Sequence, residues 1–380
     1  MKKIVVIVFT LFIVGIFGQE YPSLQRWNEL ALSVPRSNIA AASAKNYAIL
    51  SGGLYENGTA SDVVDVLDVS TRNISRLTLP SPRYNILATA AGKYIVFAGG
   101  FEVEVNETEA NVWSKAIDIL DVDAMLWKTS TEFPDSFYAT NYTVVTSTEN
   151  LVVFCNGTSL AIFDPAASEE NAWILSEPFT SIPSKANAIA YLGSTIYVST
   201  NRLSKMFLFN DVTDPSQFQN VELAFESMND VVESAFVKDQ SIYFLVEYGR
   251  LFQYDTQRDR WEAFLLPTPT SSGAFSIQDI IIAYDAGALY LFVEQYWYIQ
   301  SYELLNSAAV AVVNDKYVVF AGGSDGENVT AALHVLEYKP APPTPVTTSG
   351  PLGQITSATT FCGVSSFGLI LSTIVLALIM

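Results

Sequence analysis

One histidine, His334, stands in the whole chain, and its isolation removes two classes of catalysis. A Ser-His-Asp relay needs an imidazole beside a nucleophile, and no nucleophile is nominated here. A zinc or copper centre built on several imidazoles is out of reach. His334 therefore reads as a structural strand residue. Carboxylates remain, because a glycosidase needs only two acids at a suitable separation. Their densest cluster is Glu102, Glu104, Glu107 and Glu109, within 101–111. The same segment carries a glycosylation sequon, so the cluster reads as a solvated charge run. A weak calcium site is the alternative, since hard oxygen ligands suit that ion. No Gly-x-x-x-x-Gly-Lys phosphate cradle occurs. No catalytic residue, metal or cofactor is expected, and a carboxylate-dependent glycan-active enzyme is kept as the alternative to a binding function.

Composition narrows the partners. Lys and Arg number 20 against 39 Asp and Glu, a net charge of −19. Such a surface repels phosphate backbones, so no nucleic-acid partner is expected. The apolar fraction of 50% and the aromatic fraction of 13% suit a large core built from strands. Cys155 follows the apolar run Leu151-Val152-Val153-Phe154 and reads as a buried strand thiol. The second cysteine, Cys362, lies in a tail expected to be removed, so no internal disulfide is expected.

The two ends read as addresses. Met1-Lys2-Lys3, the apolar run 4–17 and small Gly18 form the pattern of a secretory signal peptide over 1–18, too short for a comfortable membrane span. From Lys339 the composition turns to Pro340, Pro342, Pro343 and Pro345, then Thr and Ser, which reads as a stalk and attachment region over 339–360. An apolar tail, 361–380, follows. Small residues, a polar spacer and an apolar tail are the order of a glycosylphosphatidylinositol signal, with Ser349, Gly350 or Ser357 as the attachment residue. A transmembrane helix over the same tail is the alternative, although no Lys or Arg follows to hold a cytoplasmic side. The expected location is the outer leaflet of the plasma membrane, reached through the secretory pathway.

Between the ends, over 19–338, one pattern recurs. Tyr47-Ala48-Ile49-Leu50-Ser51-Gly52-Gly53 returns 47 residues later as Tyr94–Gly100, and again as Tyr317–Gly323. A glycine pair suits a backbone that takes positive φ or passes close to a neighbour. A second run follows each time and ends in a turn-forming Asp, as at Asp68, Asp121 and Asp255. Six residues further on come Ile74, Trp127 and Trp261, while Trp173 stands nine past Asp164. A proline then marks the exit, at Pro80, Pro134, Pro183 and Pro267.

This order resembles the kelch repeat, whose unit is a four-stranded propeller blade, over roughly residues 26–338. The resemblance implies an all-β chain, a kelch-type β-propeller of seven four-stranded blades. Six is the alternative, because no outer strand is evident in the sixth unit, between Leu305 and Ser307. Inner strands are expected near Ile39, Ile86, Tyr142, Ala188, Val232, Ile280 and Ala309. Residues 307–338 supply three strands without an outer one, and the segment from Arg26-Trp27 to Pro35-Arg36 is an outer strand with no blade before it. Joined, the two fragments complete one blade and leave the ring no open edge. Copper-radical oxidases that share this propeller need two histidine ligands, which excludes their activity here.

In such a blade the hairpin after strand two and the connection after strand four emerge on one face. Sequons begin at Asn57, Asn73, Asn106, Asn141, Asn156 and Asn328. All but Asn73 are expected on that face, and none lies between residues 187 and 306. The bare sector carries Arg202, Lys205, Tyr248, Arg250, Tyr296 and Trp297, the aromatic and basic types that anchor interfaces. The predicted function is a cell-surface, non-enzymatic binding or adhesion module for an extracellular protein or glycan.

Overall fold

The runs that end in glycine pairs are second strands, each paired with one strand before it and one after it; the strand after it ends in Asp68 and Asp121 for the first two runs and at Lys339 for the last. The computed structural model describes residues 22–341, apart from 29, 103–111, 129, 138, 141, 169–170, 176–185, 201–204, 210–217, 223–230, 268–271, 286, 294–295, 303–307 and 326. The expected signal peptide, Ser349, Gly350, Ser357 and the apolar tail lie outside the described residues. No helix among those described is long and apolar enough to cross a membrane.

The chain first lays down β1 (Ser23–Arg26) and β2 (Leu30–Ala31). Blade 1 holds β3 (Ala40–Ala44), β4 (Tyr47–Ser51), β5 (Val63–Asp68) and β6 (Asn73–Thr78). Blade 2 holds β7 (Leu87–Ala91) and β8 (Tyr94–Ala98), then a small hairpin of β9 (Phe101–Glu102) and β10 (Val112–Trp113). Its third strand is β11 (Ala116–Asp121), and the outer edge is shared by β12 (Leu126–Trp127) and β13 (Thr131–Glu132). Blade 3 follows with β14 (Val144–Ser147), β15 (Val152–Cys155), β16 (Leu160–Phe163) and β17 (Trp173–Leu175). Blade 4 is β18 (Ala186–Leu192), β19 (Thr195–Thr200), β20 (Lys205–Phe209) and β21 (Phe218–Glu222). Blade 5 is β22 (Val232–Lys238), β23 (Ser241–Val246), β24 (Arg250–Asp255) and β25 (Arg260–Leu265). Blade 6 is β26 (Gly273–Ile277), β27 (Ile280–Tyr284), β28 (Ala288–Val293) and β29 (Tyr296–Ser301). The last sheet holds β30 (Ala309–Val313), β31 (Tyr317–Ala321) and β32 (Ala332–Lys339), with β1 and β2 on the edge of β32.

Among the described residues these make seven antiparallel sheets of four or five strands, besides the small hairpin. The architecture is an all-β propeller. Among the described residues seven apolar clusters form its core, each drawn from two neighbouring sheets. One packs Leu50 and Leu67 of blade 1 against Val319 and Val335 of the last sheet. Another packs Ile49 and Val66 against Phe97 and Leu120 of blade 2. Because each sheet is covered on both sides, its second strand is mainly apolar, and β15 and β23 are buried at every residue, Ser241 of β23 included. The innermost strands carry small residues where the wedges converge, as in Ala40-Ala41-Ala42-Ser43-Ala44. Their hydroxyls tie neighbours together: Ser43 Oγ donates to Val312 O at 2.5 Å and Ser276 Oγ to Val237 O at 2.9 Å.

The expected closure is present. β1 pairs antiparallel with β32, Ser23 opposite Lys339 and Arg26 opposite Leu336, and β2 continues with Leu30 opposite Leu333. Trp27 is 8% exposed and meets Tyr317 edge-on, with ring centroids 5.3 Å apart. The sixth unit departs from the sequence reading in two ways. Its innermost strand is β26, so Ile280 begins the second strand, not the first. Its outer strand exists and is Tyr296–Ser301, upstream of the stretch where none is evident. Two- and three-residue connections compress this unit, which shifted the expected register by one strand.

Candidate interaction face

Strand direction decides which residues meet. First and third strands begin, and second and fourth strands end, at one rim, here the loop face. The turns between first and second and between third and fourth strands lie on the opposite, turn face.

At the loop face, the pairs Gly52-Gly53 and Gly322-Gly323 seat the entry of the next blade, whereas Gly99 and Gly100 pack on Trp113, Tyr84 and Ile86. Gly52 and Gly53 have φ of 67° and 105°, and a Cβ on Gly52 would fall on the carbonyl oxygen of Arg83. The amide of Gly53 donates to that same carbonyl at 2.9 Å, and the amide of Gly323 donates to the Arg36 carbonyl at 3.0 Å. Each arginine therefore touches the blade behind it through its backbone and the blade ahead through its side chain. Arg36 is fully buried; its Nη1 donates to Gly52 O at 2.7 Å and Val63 O at 2.5 Å, and its Nη2 pairs with Asp65. Arg83 repeats the arrangement on Gly99 O at 2.6 Å, Ala116 O at 3.0 Å and Asp118. The second carboxylate oxygen is also used, Asp65 accepting from Ser33 N at 3.2 Å and Asp118 from Ser130 Oγ at 2.6 Å. Burial lowers the pKa of both guanidinium groups, and the paired aspartates oppose that shift. The sequence reading passed over both arginines. Their signal is Pro35-Arg36-Ser37-Asn38 against Pro82-Arg83-Tyr84-Asn85, at the same 47-residue step as the glycine pairs.

The residues expected to bind a partner divide between the faces. Tyr248 sits at the tip of the blade 5 hairpin, 69% exposed, with φ of 65°. Hydrogen bonds from Glu247 N to Val231 O (3.0 Å) and from Leu266 N to Gly249 O (2.7 Å) hold that hairpin. Arg250 begins the next strand on the same face, opposite Leu265, which is 73% exposed. Tyr296 and Trp297 begin a fourth strand and so belong to the turn face. Tyr296 is exposed, whereas Trp297 is half-buried on Phe292, with centroids 4.9 Å apart. Lys205 starts β20 on the loop face, its side chain lying outside what is described, and Arg202 lies outside the described residues. Tyr248 and Arg250 are brought together; Tyr296 and Trp297 are separated from them.

The four described sequons lie on the faces expected of them. Asn57 and Asn328 are exposed in loop-face hairpins, and Asn156 is half-buried in another. In two of them the sequon threonine bonds the asparagine Oδ1, Thr59 Oγ1 at 2.7 Å from Asn57 and Thr158 Oγ1 at 2.9 Å from Asn156. Asn73 opens β6 on the turn face. Asn106 and Asn141 lie outside the described residues, as do Glu104, Glu107 and Glu109, while Glu102 ends β9 half-buried.

The remaining candidates for chemistry sit in strands. His334 stands opposite Phe320 in the last sheet; burial, with Arg26 nearby, holds its pKa below the ordinary 6.5. Cys155 is fully buried and its thiol is pushed up to about 12, which leaves it protonated and unreactive at neutral pH. Among the described residues no group of three or more His, Cys, Asp or Glu is placed to hold a metal ion. No protein-family model matches the chain, and no curated protein matches it in sequence.

Proposed function

We propose that the chain is a kelch-like binding module displayed on the outer face of a cell membrane, with its loop face presented to an extracellular protein or glycan. Tyr248 carries the reading. A large aromatic side chain 69% exposed, on a hairpin fixed by two backbone hydrogen bonds, loses little freedom when a partner covers it. The secretory signal and the lipid-anchored stalk supply the address in this reading. A carboxylate-dependent enzyme needs two facing acids, and among the described residues the seven innermost strands carry one, Glu233.

The test is a screen of purified residues 19–345 against arrays of extracellular proteins and of glycans. Hits are then titrated against Tyr248→Ala and Tyr296→Ala variants. Tyr248→Ala is expected to weaken binding by about tenfold or more, and Tyr296→Ala to leave it within about threefold. The opposite ranking would move the site to the turn face, and no hit on either array would sink the binding reading.

A further inference from the structure

The Asn73 sequon is built differently from the hairpin sequons of the loop face. It lies in a strand, and the register shows what stands beside it. Asn73 pairs with Asp68, Ser75 with Val66, and Tyr47 with Asp68 from the other edge. Directly paired residues and residues two apart project to the same side of a sheet. Tyr47, Val66, Asp68, Asn73 and Ser75 therefore share one side of blade 1.

That side faces blade 2. Tyr47 and Val66 pack in one apolar cluster with Phe97 and Met125, and Lys45 pairs with Asp123 across the same junction. Between the two blades is a cleft of about 320 Å³, lined by the five residues above together with Thr71 and Met125. Its chemistry is mixed. Val66 and the Met125 thioether offer apolar contact, Tyr47, Thr71 and Ser75 offer hydroxyls, and Asp68 offers a carboxylate. A pyranose ring has the same division, an apolar C–H face and a polar rim of hydroxyl and amide groups. A volume of this order is that of a small-ligand pocket, and the one group lining it that carries an N-glycosylation sequence is Asn73 itself.

We propose that Asn73 carries an N-linked glycan whose first N-acetylhexosamine is seated in this cleft, packing the junction of blades 1 and 2. The proposal rests on the secretory reading above. In the attachment step, Asn73 Nδ2 forms a bond to C1 of the reducing-end sugar of a lipid-pyrophosphate-linked oligosaccharide. The C1–O bond to the pyrophosphate breaks, the lipid pyrophosphate leaves with the bonding pair, and Nδ2 gives up one proton. The seated sugar then covers Met125 and places its hydroxyls against Asp68, Thr71 and Ser75. Asn57 and Asn328, by contrast, stand exposed in loop-face hairpins.

The full chain, expressed through a secretory pathway, tests this by site-resolved peptide mapping and by native release with a peptide N-glycosidase. Asn57 and Asn73 are both expected to be occupied, and release at Asn73 to be at least about tenfold slower than at Asn57, since the enzyme must wait for the junction to open. Thermal unfolding supplies the second readout. Trimming every glycan to a single sugar is expected to leave Tm unchanged, while Asn73→Gln lowers it by about 2–4 °C and Asn57→Gln does not. Asn57 occupied with Asn73 bare overturns the proposal and leaves the secretory reading standing. Both bare overturns the secretory reading. Asn73 occupied but released as fast as Asn57, or Asn73→Gln without effect on Tm, overturns the seating.

Discussion

Burying an arginine removes a strongly hydrated charge from water, and Arg36 and Arg83 offset that cost with one paired carboxylate and two backbone carbonyls each. Such a pair stabilises little against an apolar replacement, yet breaking it from one side strands a charge. Asp65→Ala is therefore expected to lower stability by about 3–5 kcal/mol. The double variant Arg36→Met with Asp65→Leu should cost less than Asp65→Ala alone, because no unpaired charge remains. Urea midpoints of the two variants check the ranking. At this scale the sequence was only partly legible. The turn-forming Asp68 and Asp121 follow from their position at the end of a run, and each accepts backbone amides of its turn, Ser70 at 2.8 Å and Asp123 at 2.9 Å. Asp65 and Asp118, three residues earlier, lie inside apolar runs, and only knowing their arginine partners explains a carboxylate there.

Elements were more legible than contacts, because glycine pairs and tryptophans mark strand ends by physical need. Gly52 combines positive φ with the Arg83 carbonyl lying where its Cβ would stand, whereas Gly58, also at positive φ, meets nothing within 4 Å. Gly58→Ala is expected to cost about 1–2 kcal/mol from backbone conformation alone. Gly52→Ala should cost clearly more, since the entry of blade 2 must also shift; equal unfolding midpoints for the two variants would contradict this account. Trp127, Trp173 and Trp261 each stand within the first two residues of a fourth strand and rest on aromatics of their own blade, Trp261 on Tyr254 at 4.8 Å and Trp173 on Phe163 at 4.7 Å. Trp297 does the same in blade 6. It was not recognised as that marker because Tyr296-Trp297-Tyr298 reads first as an aromatic patch, and patch and strand share a composition. The split of the candidate partner residues has the same root: Tyr248 and Tyr296 belong to neighbouring blades, but strand direction sends them to opposite faces.

For the whole molecule, the closing sheet decides stability, because its outer edge is supplied by β1 and β2. Leu24 and Trp27, at 2% and 8% exposure, each contribute about 1.5–3 kcal/mol by burial, a large share of a total near 5–15 kcal/mol. A chain beginning at Leu32 loses both, along with the pairing along β32. It is expected to elute as aggregate rather than monomer and to lose a cooperative urea transition, since an apolar third strand becomes an open edge. Monomeric elution with an unchanged midpoint would show that the edge is dispensable. This level was legible from the unmatched fragments at either end, a strand pattern without a blade and a blade without its last strand. The pairing of Ser23 with Lys339 has one more consequence. The ends of the ring run as neighbouring strands about 5 Å apart, so a short peptide could join them and make the chain a closed cycle. Opening that cycle at any turn on the turn face would give a permuted chain with every sheet intact. The propeller thus has an order of blades but no first blade.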